Sequence, residues 1–335
     1  MKKIRAAVTA VGHYVPEKIL SNHDFEKMVD TTDEWIFSRT GIRERRILEN
    51  GATSDMAAKA VQQVLNRRGI SAEEIEVIIT ATVTPDMLFP PTSCLIQDKV
   101  GAKNAWGFDV SAACSGFLYA LTIGSQFIET GAHKKVIVVG SDKMSSITDY
   151  TDRNTCVLFG DAAAAVLLEP SDDPSLGIID QKMYCDGSGA KYLHMKGGGS
   201  LNPPTHETVD KKWHYIYQDG KAVFKVAVIG MADVSAEIME RNNLKSEDVD
   251  YLVPHQANLR IIDATRERMG LDPSKVMINI DKYGNTTAAT IPLCLSEWWQ
   301  AGKLKRGSTI VLASFGAGYT WGATLLKWTI DPPKN

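Results

Sequence analysis

Cys114 sits where a thiol can act as a nucleophile. It follows an apolar strand pattern, Trp106–Val110, and a turn of small residues, Ser111-Ala112-Ala113, and it opens an apolar helical run. A thiol at a helix N-terminus faces the positive end of the peptide dipoles, which lowers its pKa and favours the thiolate. Ala112, Ala113, Ser115 and Gly116 leave room beside it for an acyl group. From the local sequence alone a buried Cys at a helix start is an equally good reading, since free cysteine is commonly a small buried hydrophobe. Two further groups shift that balance. His255 leaves the end of an apolar strand in Val253-Pro254-His255-Gln256-Ala257-Asn258, and Asn285 lies in Tyr283-Gly284-Asn285-Thr286. Taken singly, a His is usually structural and a Gly-Asn pair usually a turn. Taken together, as groups that one fold should gather beside a nucleophilic thiol, they favour the functional reading.

The three groups are distant in the chain, so the fold must gather them. An internal repeat supplies the means. Leu65–Ile79 (LNRRGISAEEIEVII) resembles Met239–Val253 (MERNNLKSEDVDYLV) at an offset of 174, each a helix end, an acidic turn and an apolar strand. Val110–Cys114 lies over Asp281–Asn285 at an offset of 171, a match of position and not of residue type, which sets Asn285 opposite Cys114. Helical runs follow at Ser115–Ile128 and Thr286–Trp299, with Gly131 and Gly302 behind them as capping residues. Buried-type strands come next at Val136–Gly140 and Thr309–Ala313, then apolar runs at Ala162–Leu168 and Ala323–Trp328.

Continuously apolar strands alternating with helices predict parallel or mixed sheets covered on both faces, hence a duplicated α/β fold. The halves are expected at 1–172 and 173–335. A loop region at about 171–220, carrying Gly197-Gly198-Gly199 and Pro203-Pro204, joins them. That glycine run lacks the Gly-Lys-Ser/Thr ending and the following helix of a phosphate loop. Functional groups in open α/β sheets gather at C-terminal strand ends, and Cys, His and Asn come from three such ends of one two-fold design.

Composition sets the outer bounds. A chain of 335 residues exceeds the roughly 250–300 at which single cores stop growing. Apolar residues at 44% and charged residues at 23% are globular values and argue against disorder. With 37 basic and 40 acidic residues the net charge of −3 gives no general case for nucleic acid. The longest apolar run, Ala162–Leu168, falls far short of the ~18 residues of a membrane helix. Ala6–Val11 reads as a first strand rather than a signal segment, and the cytoplasm is the expected compartment. Cysteines at 94, 114, 156, 185 and 294 contain no Cys-x-x-Cys pair, so neither a disulfide framework nor a metal site is expected. The four other than Cys114 are read as small buried hydrophobes.

These motifs carry a family resemblance. Asp109-Val-Ser-Ala-Ala-Cys114-Ser-Gly-Phe, Pro254-His255-Gln-Ala-Asn258, Gly284-Asn285-Thr286 and Phe315-Gly-Ala-Gly-Tyr-Thr-Trp-Gly322 resemble β-ketoacyl-[acyl-carrier-protein] synthase III, the initiating condensing enzyme of type II fatty-acid synthesis. The likeness runs from Ile4 to Trp328. It implies the five-layered αβαβα thiolase-like fold, a homodimer, and acyl-CoA and malonyl-acyl carrier protein as substrates, with no cofactor beyond the CoA thioester itself. It implies that Cys114 carries the acyl group, that His255 and Asn285 hydrogen-bond the malonyl thioester oxygen, and that the N–H groups of Cys114 and Ala317 form the oxyanion hole. Many relatives carry Gly where Ala317 stands, but only the amide is required. By the same resemblance Trp35, Arg39 and Arg153 contact CoA. Lys225, Arg260, Arg266 and Arg268 offer a basic face to the carrier protein, although a solvated helix face explains the last two nearly as well. Phe89 crosses to the partner's acyl pocket.

Three rivals keep the same residues. A Cys/His thioester hydrolase would use His as base towards water, but has no enolate for Asn285 to stabilise. A related acyl-transfer enzyme of secondary metabolism fits the residues, and a non-catalytic paralogue fits them poorly.

Overall fold

The computed structural model describes residues 4–333. Among these, nine strands make two large mixed sheets. In the first, β1 (Ala6–Tyr14), β2 (Val77–Ala81), β3 (Trp106–Val110), β4 (Val136–Asp142) and β5 (Ala162–Pro170) lie in the order β1-β5-β4-β2-β3. In the second, β6 (Gly177–Cys185), β7 (Tyr251–Pro254), β8 (Thr309–Gly316) and β9 (Thr320–Lys327) lie in the order β6-β9-β8-β7. Both orders run antiparallel, antiparallel, parallel. Where the first sheet adds β3 in parallel, the second keeps only an isolated parallel bridge, Leu252 to Val276. The chain therefore builds one topology twice.

Alternation along the strands makes the layers. In β2, Val77 and Ile79 point into a central core while Ile78 points to an outer one; in β8, Ile310 and Leu312 face the centre and Val311 and Ala313 face out. This is the two-residue period of a strand buried on both faces. The central layer holds α2 (Gly116–Glu129) and α5 (Thr290–Gln300), whose Phe117, Leu118, Leu121, Ile291 and Leu295 pack against both sheets. Outside the first sheet lies α1 (Thr53–Arg68), through Met56, Ala60, Val61 and Val64. Outside the second lie α3 (Gly220–Arg241) and α4 (Leu259–Arg268), through Val223, Ala227, Met231, Val234 and Ile262. The result is αβαβα. Burying one such large aliphatic side chain contributes about 1.5–3 kcal/mol.

The helix ends repeat as well. Gly131 (φ 75°) follows α2 and Gly302 (φ 69°) follows α5, each in the left-handed region that glycine reaches without a Cβ clash. The starts match too. A single 3₁₀ turn precedes each central helix, Ala113–Ser115 before α2 and Thr287–Ala289 before α5. Ala113 and Thr287 open these turns with positive φ of 47° and 54°.

Three expectations change. Ala113 and Thr287 are 174 residues apart, as are the helix starts Gly116 and Thr290. Ala288, not Asn285, is therefore the counterpart of Cys114, because the repeated feature is the backbone turn and not the loop before it. The stretch at about 171–220 is not all loop. It contains β6, a hairpin pairing Leu193–Met195 with Ile216–Gln218, and the short helix His206–Asp210. Its strands are short or half-exposed and so lack a continuous apolar signal. Cys94 and Cys185 are exposed rather than buried, while Cys156 and Cys294 are buried.

Candidate active site

Cys114 enters the site on a strained turn that the other half of the molecule holds. A positive φ at Ala113 is uncommon for a residue with a Cβ and persists where neighbours enforce it. Ser314 Oγ donates to the Cys114 carbonyl (2.7 Å), Thr320 Oγ1 to the Ala112 carbonyl (3.0 Å) and Ser115 Oγ to the Thr320 carbonyl (2.9 Å). All three bonds cross from the first half to β8 and β9. Gly316 closes the contact: a Cβ there would stand 2.8 Å from the Cys114 nitrogen and 2.9 Å from that of Ser115. Among the described residues, neither the Cys114 N–H nor the Ala317 N–H donates to another residue.

Asn285 is fixed by its backbone on both sides. Its N–H donates to Leu158 (2.9 Å) and its carbonyl accepts from Gly160 (3.1 Å). Gly284, at φ 61°, lets the chain pass the Leu158 carbonyl where a Cβ would stand 2.8 Å away. The side-chain Oδ1 accepts from the Thr287 N–H (2.9 Å), which orients the amide so that its NH₂ is the free end. That NH₂ is close enough to the Cys114 thiol to hold its pKa down.

His255 continues the parallel ladder beyond β7, its N–H donating to Ala313 (2.8 Å). The ring is 2% exposed. Nδ1 lies 2.7 Å from Thr290 Oγ1, and Nε2 is buried with no partner among the described residues.

Burial dominates the titration of the site. It pushes the Cys114 thiol up to about 12; the buried Asp142 carboxyl adds to this and the Asn285 amide opposes it. Desolvation therefore opposes the thiolate that the helix start favours. Burial also lowers His255 to about 3, so the resting pair is a neutral thiol and a neutral imidazole.

The cavity these groups share holds about 610 Å³, a volume suited to a small-molecule ligand. Cys114, His255, Asn285 and Ala317 line its inner end and Trp35 and Arg39 are also on its wall. Part of the wall escaped sequence reading. Phe224 and Met231 come from α3, and Leu193, Met195 and Ile216 from the small hairpin. Three-residue strands show no period to find. Asn258 caps α4 through the Arg260 N–H (3.0 Å) and donates to the Arg39 carbonyl (2.9 Å), tying the two cationic elements together.

Comparison with known proteins shows the family. Residues 108–187 match the 3-oxoacyl-[acyl-carrier-protein (ACP)] synthase III family and residues 239–328 match its C-terminal domain family. The chain is 62% identical over 328 residues to β-ketoacyl-[acyl-carrier-protein] synthase III of Chlorobium luteolum, covering 97% of this chain and 100% of that one. The chain belongs to the β-ketoacyl-[acyl-carrier-protein] synthase III family. Among solved structures, the 3-oxoacyl-[acyl-carrier-protein] synthase III of Aquifex aeolicus VF5 is 44% identical with a TM-score of 0.90, covering 96% of this chain and 100% of that one. The priming β-ketosynthase of the R1128 polyketide pathway is 35% identical with a TM-score of 0.91, covering 99% and 98%. The protein is a condensing acyltransferase of the thiolase-like fold, and its reaction is the initiating condensation of fatty-acid synthesis.

The remaining expected synthase residues divide. Both Arg39 and Arg153 place guanidinium groups over the Trp35 ring, at 4.9 and 4.3 Å from its centroid, so these three meet at one place. Lys225 and Arg260 are exposed and form no ion pair among the described residues. Arg266 is only 19% exposed and is held by Asp263, Glu267 and the Leu271 carbonyl, while Arg268 pairs with Asp233 at 3.2 Å. These last two are engaged within the fold. Phe89 is 83% exposed beside Leu88 and does not line the cavity of its own chain. No helix among the described residues is long and apolar enough to cross a membrane.

Proposed function

We propose that the synthase condenses acetyl-CoA, or another short acyl-CoA, with malonyl-acyl carrier protein by a ping-pong route through an acyl-Cys114 thioester. One observation carries this reading: a thiol, an imidazole nitrogen without a partner, an amide NH₂ and two unengaged N–H groups converge on one cavity. In the first half-reaction Cys114 attacks the acyl-CoA carbonyl, and His255 Nε2 takes the thiol proton as the bond forms. A neutral buried thiol needs such a base at the moment of attack. The Cys114 and Ala317 N–H groups hold the oxyanion, and the proton leaves with CoA. In the second, malonyl-acyl carrier protein loses CO₂. The Asn285 NH₂ and an Nε2–H on His255 stabilise the enolate oxygen, and its carbon attacks the acyl group, giving 3-oxoacyl-acyl carrier protein and expelling Cys114 as a thiolate, which takes up a proton from solvent to restore the resting thiol. The CoA thioester supplies the activation, so no resident cofactor or metal is required.

Trp35, Arg39 and Arg153 suit the adenine and phosphate end of CoA by stacking and charge. Lys225 and Arg260 suit an acidic carrier protein. An exposed Phe-Leu pair suits a two-fold cytoplasmic homodimer in which Phe89 lines the partner's acyl pocket; a monomer at micromolar concentration in sedimentation would refute that. Priming of a polyketide pathway is a second reading, favoured by the likeness to the R1128 enzyme. A panel of acetyl-, propionyl-, isobutyryl- and long-chain acyl-CoA separates the two.

The test uses intact mass and CO₂ release. Wild-type protein gains one acetyl group from acetyl-CoA, and Cys114→Ser gains none. Asn285→Ala keeps the acetyl label but releases CO₂ from malonyl-acyl carrier protein about 10²–10³-fold more slowly. A variant that lost the label and kept decarboxylation would reverse the assigned roles.

A further inference from the structure

The two half-reactions ask opposite things of one nitrogen. Taking the thiol proton requires a bare His255 Nε2; donating to the enolate oxygen requires an Nε2–H. A neutral imidazole has one ring proton, so the group at Nδ1 decides which form is held. That group is the Thr290 hydroxyl, buried with the ring and 2.7 Å from Nδ1. The hydroxyl has one hydrogen and two acceptors within reach, because the Thr287 carbonyl lies 3.1 Å from the same oxygen.

We infer that Thr290 is a positioning residue that lets His255 hold either tautomer without moving the ring. When its hydrogen goes to the Thr287 carbonyl, its oxygen accepts Nδ1–H and Nε2 is bare, the form that acylation needs. When its hydrogen goes to Nδ1, Nε2 carries the proton, the form that decarboxylation needs. Passage between them moves one proton off Nδ1 and one onto Nε2, exchanged with water, with no net gain. The site is built for this. The Thr287 carbonyl belongs to the turn that opens α5, and Asn285 Oδ1 pins the same residue's N–H (2.9 Å). The acceptor that completes one tautomer is thus fixed by the other catalytic side chain. The idea rests on the condensation proposed above.

Thr290→Val keeps shape and removes the hydroxyl. An Nδ1–H would face the valine methyl, whereas Nε2 belongs to a ring that lines the cavity, where water can accept its hydrogen, so the ring should settle as Nε2–H. The expected result is a split: acetyl-enzyme formation slows by about 10–100-fold, the range seen for hydrogen-bond partners of metal-binding His, while CO₂ release by pre-acetylated enzyme falls much less. Thr290→Ser should recover most of the loss. Nitrogen-15 NMR of ring-labelled His255 should show both tautomers in the free wild-type protein and one in Thr290→Val. Equal loss in both half-reactions, no loss in either, failure of serine to rescue, or one shared tautomer in the two free proteins would each overturn the inference. Absence of an acetyl label on wild type would instead overturn the condensation reading, and the free-protein spectra would still decide the role of Thr290.

Discussion

Two turns of the same backbone lie against each other at the centre of the molecule, and only one of them bears a nucleophile. Ala113–Ser115 leads into α2 with Cys114 at its middle; Thr287–Ala289 leads into α5 with Ala288 there. Each is met by the strand end of the opposite half. At the Cys114 turn, Ser314 bonds the carbonyl and Gly316 stands beside the N–H without filling the space in front of it. At the Ala288 turn, Gly140 backs the carbonyl, and Asp142 reaches the N–H (3.3 Å). Asp142 and Gly316 are again 174 residues apart and end equivalent strands. An aspartate therefore plugs one amide of the pair and a glycine leaves the other open. The duplicated fold makes two such turns, and side chains at one strand position decide which keeps its amide open.

The largest expected effect comes from making the open turn like the closed one. Gly316→Asp places a Cβ 2.8 Å from the Cys114 nitrogen and a carboxylate over its N–H. Losing one oxyanion donor costs ~10²–10³ in rate, and a negative charge in its place costs more. Acetyl labelling by intact mass should therefore fall by at least about 10³-fold, the Cβ displacing the turn as the carboxylate covers its amide. Labelling within a few-fold of wild type would mean that the Cys114 N–H does not hold the oxyanion.

How the sequence led to this site, and where it stopped, follows from the same comparison. Trp106–Val110 is legible as a strand with its observed bounds because aromatic and β-branched residues run there between turn residues, although the strand is only half-buried at the sheet edge. Cys114, His255 and Asn285 are legible because each follows a strand or turn signal, and the structure does bring them to one cavity. The pairing of Asn285 with Cys114 across the repeat was misplaced by three residues. The repeated feature is a positive φ at Ala113 and Thr287, and neither alanine nor threonine announces one. The thiol's environment is not legible in the sequence for a different reason. Helix polarity can be read from a helix start, but the burial that raises the Cys114 pKa depends on packing from the other half of the chain. The cavity wall from Leu193–Met195 and Ile216–Gln218 has strands too short to show alternation.

A smaller effect tests the plug itself. Burial raises Asp142 to about 6 from the ordinary 3.8, against hydrogen bonds from Val83, Ala288, Thr82 and Thr84. Its folded pKa lies above its unfolded one, so the folded state holds the proton more tightly. Stability from this group is greatest at low pH, falls as pH rises from about 4 to about 6, and is flat above that. A shift of about two units corresponds to about 3 kcal/mol. Denaturant titration at pH 4 and pH 7 should show that contribution in wild type and its disappearance in Asp142→Asn. The substitution also removes a negative charge near Cys114, so iodoacetamide should alkylate that thiol faster at fixed pH. An unchanged pH slope would mean that Asp142 does not titrate against this background.

The smallest effect is an expected absence. Cys114→Ala combined with Ala288→Cys moves the nucleophile to the equivalent turn, keeping the helix start and the local backbone. Helix polarity alone, the feature that singled out Cys114 in the sequence, would make the new thiol reactive. The geometry argues otherwise. Ala288 is 1% exposed and does not line the cavity, and its N–H is already taken by Asp142. An added sulfur there overpacks the central core, at a cost of about 1–3 kcal/mol, and meets no open amide to hold an oxyanion. The double variant should fold and take no acetyl group from acetyl-CoA by intact mass. An acetyl label mapped to position 288 would show that a thiol at a helix start is sufficient, and the contrast between the plugged and open turns would then explain nothing about catalysis.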